Sequence, residues 1–196
     1  MVRLKSYHFG FCIYMACHQE CVEMRLCDKA RDCVCGWESG CQKSGCQPAI
    51  FRVIPNTAIS VGESMTFVAA DGATQEQTDV VMGIFNKMGE AMLVNEKMLE
   101  VGMILASCGI AFALRYIRAA SEGGVELGCP AAQAARIVAA TMKGAAELVL
   151  QNNSHPEQEI DKVTTAGGIT IKGLNEMDHA GFSSAVIRGL KASFNK

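Results

Sequence analysis

The hydrophobic positions along this chain change period twice. Residues 1–50 follow neither a helical nor a strand period. From residue 51 the pattern sharpens: Phe51, Val53 and Ile54 run into Pro55-Asn56-Thr57. That reads as a short strand ended by a turn, because proline supplies no backbone donor and asparagine favours turns. Over 64–70, Met65, Phe67 and Ala69 alternate with Ser64, Thr66 and Val68, which predicts a second strand. Asp71-Gly72 predicts a turn. Thr74 and Gln77 have the spacing of a capping box, and Val80, Val81, Ile84, Phe85 and Met88 lay one apolar stripe on the helix that follows, expected to end near Gly89. With a third strand predicted at 91–94, residues 51–95 read as strand, strand, helix, strand, a fragment of an α/β unit.

From Glu96 the pattern is helical. Met98, Val101, Leu105, Cys108 and Phe112 recur at spacings of three and four, while Ala106, Ser107, Gly109, Ala111 and Ala113 keep the helix slim enough for a neighbouring backbone to approach. Each glycine costs roughly 1 kcal/mol of local helix stability, which close packing must offset. The longest apolar run, 101–114, is shorter than the roughly 20 residues that cross a bilayer, so a buried helix is expected. Gly128 fits a helix C-terminus, and Cys129-Pro130 the entry of an Ala-rich helix running to about residue 150. Ser154 and Glu157 flank Pro156 with capping-box spacing for a short helix ending before Thr164. Thr165-Ala166-Gly167-Gly168-Ile169-Thr170 is a Gly-rich turn feeding a helix that Gly181 ends, and a last helix covers 183–194.

Composition narrows the partners. Hydrophobic residues make up 49% and charged residues 19%, and the net charge is -2, so no basic field draws the chain to nucleic acid or anionic lipid. Small molecules and other protein chains remain. Tyr7, His8, Cys12 and Cys17 interrupt any apolar core of a leader segment, which gives the expectation of a cytoplasmic protein.

Eight of the ten cysteines lie in the first 46 residues, at Cys12, Cys17, Cys21, Cys27, Cys33, Cys35, Cys41 and Cys46. A disulfide framework would call for a secretion signal. A zinc site could add His8 and His18, but no C-x-x-C pair occurs and the closest spacings are Cys33-x-Cys35 and Cys17-x-x-x-Cys21. The favoured reading is a segment without a fixed structure of its own. An out-of-frame start is a further reading, motivated by the change of composition near Gln47. No metal ligand is assigned.

The Gly167-Gly168 turn has two readings. It can be a plain helix connection, or it can bring a small carboxylate against the unpaired amides of Gly168, Ile169 and Thr170 at a helix start. No G-x-G-x-x-G occurs anywhere, so the usual cradle for a dinucleotide pyrophosphate is absent. His155 and His179 read as exposed or capping residues. Ser107 is not in a nucleophile-elbow context, and Cys108 reads as a small core residue.

Three stretches resemble pyrroline-5-carboxylate reductase. Arg52-Val53-Ile54-Pro55-Asn56-Thr57 resembles that family's R-x-M-P-N-T. Ala106-Ser107-Cys108-Gly109-Ile110-Ala111-Phe112 resembles S-G-S-G-P-A-Y, followed by Glu122-Gly123-Gly124-Val125-Glu126-Leu127-Gly128 for D-G-G-V-x-x-G. The third and most specific, Val163 through Leu174, resembles V-x-S-P-G-G-T-T-x-x-G-L, with Ala180-Gly181-Phe182 for G-G-F. Ala58, Ile110 and Ala166 stand where the family has proline, and Asn153 where a glutamate often precedes the His-Pro pair. The nucleotide-binding half that should precede Phe51 has no counterpart in residues 1–50.

The resemblance implies a mainly α chain: a Cys-rich segment over 1–50, the remnant of an α/β Rossmann domain over 51–95, and an all-helical dimerisation and substrate-binding domain over 96–196. It implies reduction of 1-pyrroline-5-carboxylate to L-proline with NADPH or NADH, in a homodimer or larger homo-oligomer, with no nucleic acid and no membrane. Pro55 and Asn56 would lie at the nicotinamide end of the cofactor, Gly168, Ile169 and Thr170 would hold the substrate, and Thr170 would be catalytic. A catalytically silent dimerisation module and a Cys-rich metal-binding protein are the competing readings.

Overall fold

The computed structural model describes residues 3–8, 11–17, 22–27 and 49–194. Two units pack separately, Met1–Ile110 and Ala111–Lys196.

In the first unit the strands β1 (Arg3–His8), β2 (Phe11–Cys17), β3 (Val22–Cys27), β4 (Ala49–Ile54), β5 (Ser64–Asp71) and β6 (Gly89–Leu93) form one sheet in chain order. Every neighbouring pair is antiparallel except β5 with β6, which the helix α1 (Gln75–Phe85) joins as a parallel pair. The expectation of no fixed structure in the first fifty residues fails over β1 to β3. Their order is supplied by ladder pairing rather than by local pattern: β3 pairs along β4 with Met24 opposite Phe51, and Met24, 1% exposed, joins the core. Among the described residues no cluster of His, Cys, Asp or Glu could hold a metal. Cys21, Cys33, Cys35, Cys41 and Cys46, like His18, lie outside the described residues, so the zinc reading does too.

Around β4 and β5 the sheet is covered on both faces. Phe51, Val53 and Val68 pack with Val81 and Phe85 of α1. Ile54, Phe67 and Ala69 pack with Leu99 of α2 (Glu96–Gly102). The alternation read over 64–70 thus separates two buried faces, as in a central strand. Each fully buried large side chain here stabilises the fold by about 1.5–3 kcal/mol. The Thr74–Gln77 capping box forms as expected, with Gln77 N donating to Thr74 Oγ1 and Thr74 N to Gln77 Oε1. The helix ends earlier than expected, at Phe85, and Gly89 instead opens β6 at φ +136, where a Cβ would lie 2.2 Å from the Ser64 carbonyl oxygen. Only glycine lets β6 meet β5 there.

The helix predicted from Glu96 is continuous to Glu126, but Met103–Cys108 is π-helical, between α2 and α3 (Gly109–Glu126). An apolar period of three and four residues carries no mark of such a segment. At 31 residues it is also long and apolar enough to cross a membrane, which overturns the reading of a run too short for that. The expectation of a buried helix fails as well: only 17% of its most apolar stretch is buried inside the chain.

The second unit holds the rest of α3 with α4 (Ala131–Asn152), α5 (Pro156–Val163), α6 (Ile169–His179) and α7 (Phe182–Phe194). Gly124 lets α3 approach α4, where a Cβ would come 3.3 Å from the Ala134 Cβ. Helix α4 ends with Asn153 at φ 47, left-handed backbone that asparagine tolerates better than glutamate does. The cap of α5 is displaced by one residue from the expected Ser154–Glu157: His155 Nδ1 accepts from Glu157 N and the Gln158 side chain returns to His155 N. The Ser154 hydroxyl donates to the Leu148 carbonyl instead. Hydrogen bonds, the largest from Lys162, hold the Glu159 carboxyl below its usual range, so this contribution to stability is present above the ordinary carboxylate pKa and fades as acid protonates the folded form.

Gly102 and Gly83 give opposite predictions. A Cβ on Gly102 would meet the Phe67 ring at 2.6 Å, so Gly102→Ala should cost about 1–3 kcal/mol. Gly83 sits in α1 with open space around it, so Gly83→Ala should add about 0.5–1 kcal/mol. Urea unfolding of the two variants beside the parent checks both signs.

Candidate functional site

The predicted site residues fall into the two units. In the first, Asn56 caps the 3-10 turn Thr57–Val61 that follows β4, its Oδ1 accepting from Ala58 N at 3.0 Å. Gly62, at φ 76, closes that turn. The Asn56 backbone N–H donates to Ser64 Oγ at 3.2 Å, and Ser64 Oγ shares a hydrogen bond with Thr66 Oγ1 at 3.0 Å. Ser64 and Thr66 are 2% and 0% exposed. A buried chain of hydroxyls therefore anchors the turn after Pro55. From the π-helical segment Ser107 Oγ donates to the Pro55 carbonyl in a longer contact of 3.4 Å. Sequence reasoning did not single out Ser64, Thr66 or Ser107 for this task. Two hydroxyls facing one side of a central strand were the available signal, since buried hydroxyls need partners.

In the second unit, Thr165-Ala166-Gly167-Gly168 is a reverse turn in which Gly168 N donates to the Thr165 carbonyl at 2.9 Å and Gly167 sits at φ +70. Positive φ at the third position is the mark of a type II turn. This corrects the expectation of three unpaired amides: the Gly168 N–H is spent on the turn, and Ile169 and Thr170, the first two residues of α6, keep amides that an α-helix start leaves open. Gly168 is also needed sterically, because a Cβ there would fall 2.6 Å from Thr165 Oγ1. Thr170 does not cap α6; the cap is Gly168 and has no side-chain bond. Ile169 is 88% exposed. The turn thus offers two amides, a free hydroxyl and the positive end of a helix dipole to an anion about the size of a carboxylate.

Beside this turn's helix, α3, α6 and α7 enclose an apolar groove of about 560 Å³, lined by Phe112, Tyr116, Met177, Phe182 and Val186 with Arg115 among them. Tyr116 and Phe182 meet edge to face at 6.2 Å. His155 proves to be a capping residue, in keeping with its expected role.

The type II geometry gives a direct test. Proline suits the second position of such a turn, so Ala166→Pro should stabilise the chain by about 0.4–1 kcal/mol, whereas Gly167→Ala should cost about 1–2 kcal/mol. Thermal unfolding at fixed protein concentration measures both, and a lower melting temperature for Ala166→Pro would rule the turn type out.

Comparison with known proteins gives the chain a family. Residues 96–196 match the family model for pyrroline-5-carboxylate reductase dimerisation. Pyrroline-5-carboxylate reductase 1 of Dictyostelium discoideum is 48% identical over 159 residues, 75% of this chain and 29% of that protein. Pyrroline-5-carboxylate reductase 2 of the same organism is 43% identical over 171 residues, 79% of this chain and 57% of that one. Among solved structures, the 1-pyrroline-5-carboxylate reductase of Streptococcus pyogenes aligns with a TM-score of 0.71 at 26% identity, over 75% of this chain and 57% of that one. The Plasmodium falciparum pyrroline carboxylate reductase with NADP bound aligns with a TM-score of 0.68, also at 26% identity, over 72% and 58%. The chain spans less than two thirds of each of these relatives. With the family model covering more than half of its residues, the chain belongs to the pyrroline-5-carboxylate reductase family.

Proposed function

We propose that this chain carries the substrate-binding and dimerisation part of a reductase that turns 1-pyrroline-5-carboxylate into L-proline. The observation that carries the reading is the Gly167-Gly168 turn, which leaves the amides of Ile169 and Thr170 open at the start of α6. They would hold the substrate carboxylate, with Gly168 allowing its close approach. The Thr170 hydroxyl, free of any hydrogen bond among the described residues, would face the ring nitrogen as that nitrogen gains a proton. The cofactor, NADPH or NADH, would supply the hydride to the imine carbon. Pro55 and Asn56 suit its nicotinamide end, because the Asn56 Nδ2 donor is left over once Oδ1 has capped the turn. For the pyrophosphate, the sequence holds no G-x-G-x-x-G cradle. On this reading 51–95 is the end of a cofactor domain, 96–196 the dimerisation domain, and the protein cytoplasmic.

A homodimer, open to larger assembly, follows from the same reading. Leu114, Ile137, Leu150 and Ile187 are each more than half exposed, and the matched family is a dimerisation domain. A second copy is a better cover than lipid for the helix Glu96–Glu126, since Arg115, Arg118, Glu122 and Glu126 crowd its C-terminal half. The competing reading is a dimerisation module without catalysis, which the absent pyrophosphate cradle favours.

Four outcomes are expected. Titrating L-proline into the protein should move the backbone amide resonances of Ile169 and Thr170, and Gly168→Val should abolish the shift; unmoved amides at saturating proline would sink the carboxylate site. Thr170→Ala should leave the melting temperature unchanged, yet lower turnover when a nucleotide-binding half is fused ahead of residue 51. The chain by itself should bind NADPH no better than weakly, and micromolar binding would show that residues 1–50 hold an unrecognised cradle. Sedimentation should find a dimer, and a compact monomer at high dilution would contradict the assembly.

A further inference from the structure

We propose that Ser64 and Ser107 are positioning residues, two hydroxyls on different elements that lock the Pro55-Asn56 turn and thereby set how the Asn56 carboxamide is presented to the nicotinamide end of the cofactor. The inference rests on the cofactor reading of that turn. Ser64, at the start of β5, is 2% exposed, and its Oγ is the acceptor for the Asn56 backbone N–H at 3.2 Å. The same oxygen shares a 3.0 Å bond with Thr66 Oγ1, which is fully buried, so the Ser64 rotamer is fixed from behind. Moving Asn56 would strand a buried donor. Ser107 comes from the π-helical segment and donates to the Pro55 carbonyl at 3.4 Å, joining residues 52 positions apart in sequence. Segments of this kind recur at functional sites because they re-aim a side chain within a helix. In the S-G-S-G-P-A-Y pattern that residues 106–112 resemble, the position of Ser107 is a glycine, which could offer no hydroxyl. This chain therefore holds the turn by a contact that the family pattern does not supply.

The consequence falls on Asn56. Its Oδ1 is committed to Ala58 N, while Nδ2 has no partner among the described residues. No buried side-chain nitrogen or oxygen there lacks a partner, so Nδ2 must reach an opening. An amide donor with its own acceptor already occupied seeks a carbonyl oxygen, and the carboxamide of a nicotinamide ring carries one.

The test uses the full chain and reduced nicotinamide mononucleotide, which has the nicotinamide end but needs no pyrophosphate cradle. Two readouts are taken by NMR: amide exchange at Asn56 and Ala58, and the affinity for the mononucleotide from shifts of the Asn56 side-chain amide. Ser107→Ala should speed exchange and weaken binding by about three- to ten-fold, the size of one lost hydrogen bond, with Ser107→Thr restoring both. Ser64→Ala should do the same more strongly; Ser107, half-buried, provides the variant that keeps its fold. Unchanged exchange in both alanine variants would overturn the hold. Faster exchange with unchanged affinity would overturn the positioning role while leaving the cofactor reading intact. If the parent protein itself shows no shift at Asn56, the cofactor reading fails and takes the positioning role with it.

Discussion

Unmet burial governs this molecule. Among the described residues past Ile110, Ala134 is the only buried one, although the helices there carry leucine, isoleucine, valine, methionine and phenylalanine along their length. A bundle of five helical elements with no closed interior cannot offset the entropy of ordering its backbone by burial within one chain. The missing burial has to come from another surface, and the small residues along α3 and α4 suit the close approach of another helix. On the proposed reading, a second copy of the chain supplies that surface.

The sheet unit is the opposite case. Around β4 and β5 its two faces are packed by α1 and by α2 with the π-helical segment, and two buried clusters form there within the chain. Such a platform can hold a turn still, and the buried hydroxyls of Ser64 and Thr66 do this at the end of β4. Rigid strands carrying a short polar turn at one end are a common way to place a donor where a ligand arrives. The N-terminal strands extend the same sheet through β3, so β4 is an interior strand with neighbours on both sides.

Glycines do separate work in the two units. At Gly89 and Gly102 the demand is space, against the Ser64 backbone and the Phe67 ring. At Gly167 the demand is conformation, a positive φ that closes the turn and aims α6. The turn forms with Ala166 where the resembled pattern has proline, because it depends on the glycine that follows.

From the sequence alone the order of elements from residue 51 could be read, since strand alternation, the Thr74–Gln77 box and the Gly-Gly turn are local signals between residues a few positions apart. The resemblance lay in the same short stretches, and so did Asn56 and the start of α6. What tertiary structure alone decided depends on partners distant in the chain. The first fifty residues show no period, and their described strands are ordered by pairing with β4. The end of α1 at Phe85 and the role of Gly89 follow from where β5 lies. The π-helical segment is invisible to a spacing of three and four. Ser107 reads as an ordinary small helix residue until Pro55 is brought beside it. Of the three amides expected to be open, Gly168's is closed by its own turn, a matter of one dihedral angle at Gly167. Residue patterns report what a segment can bury; they do not report which distant backbone it will meet.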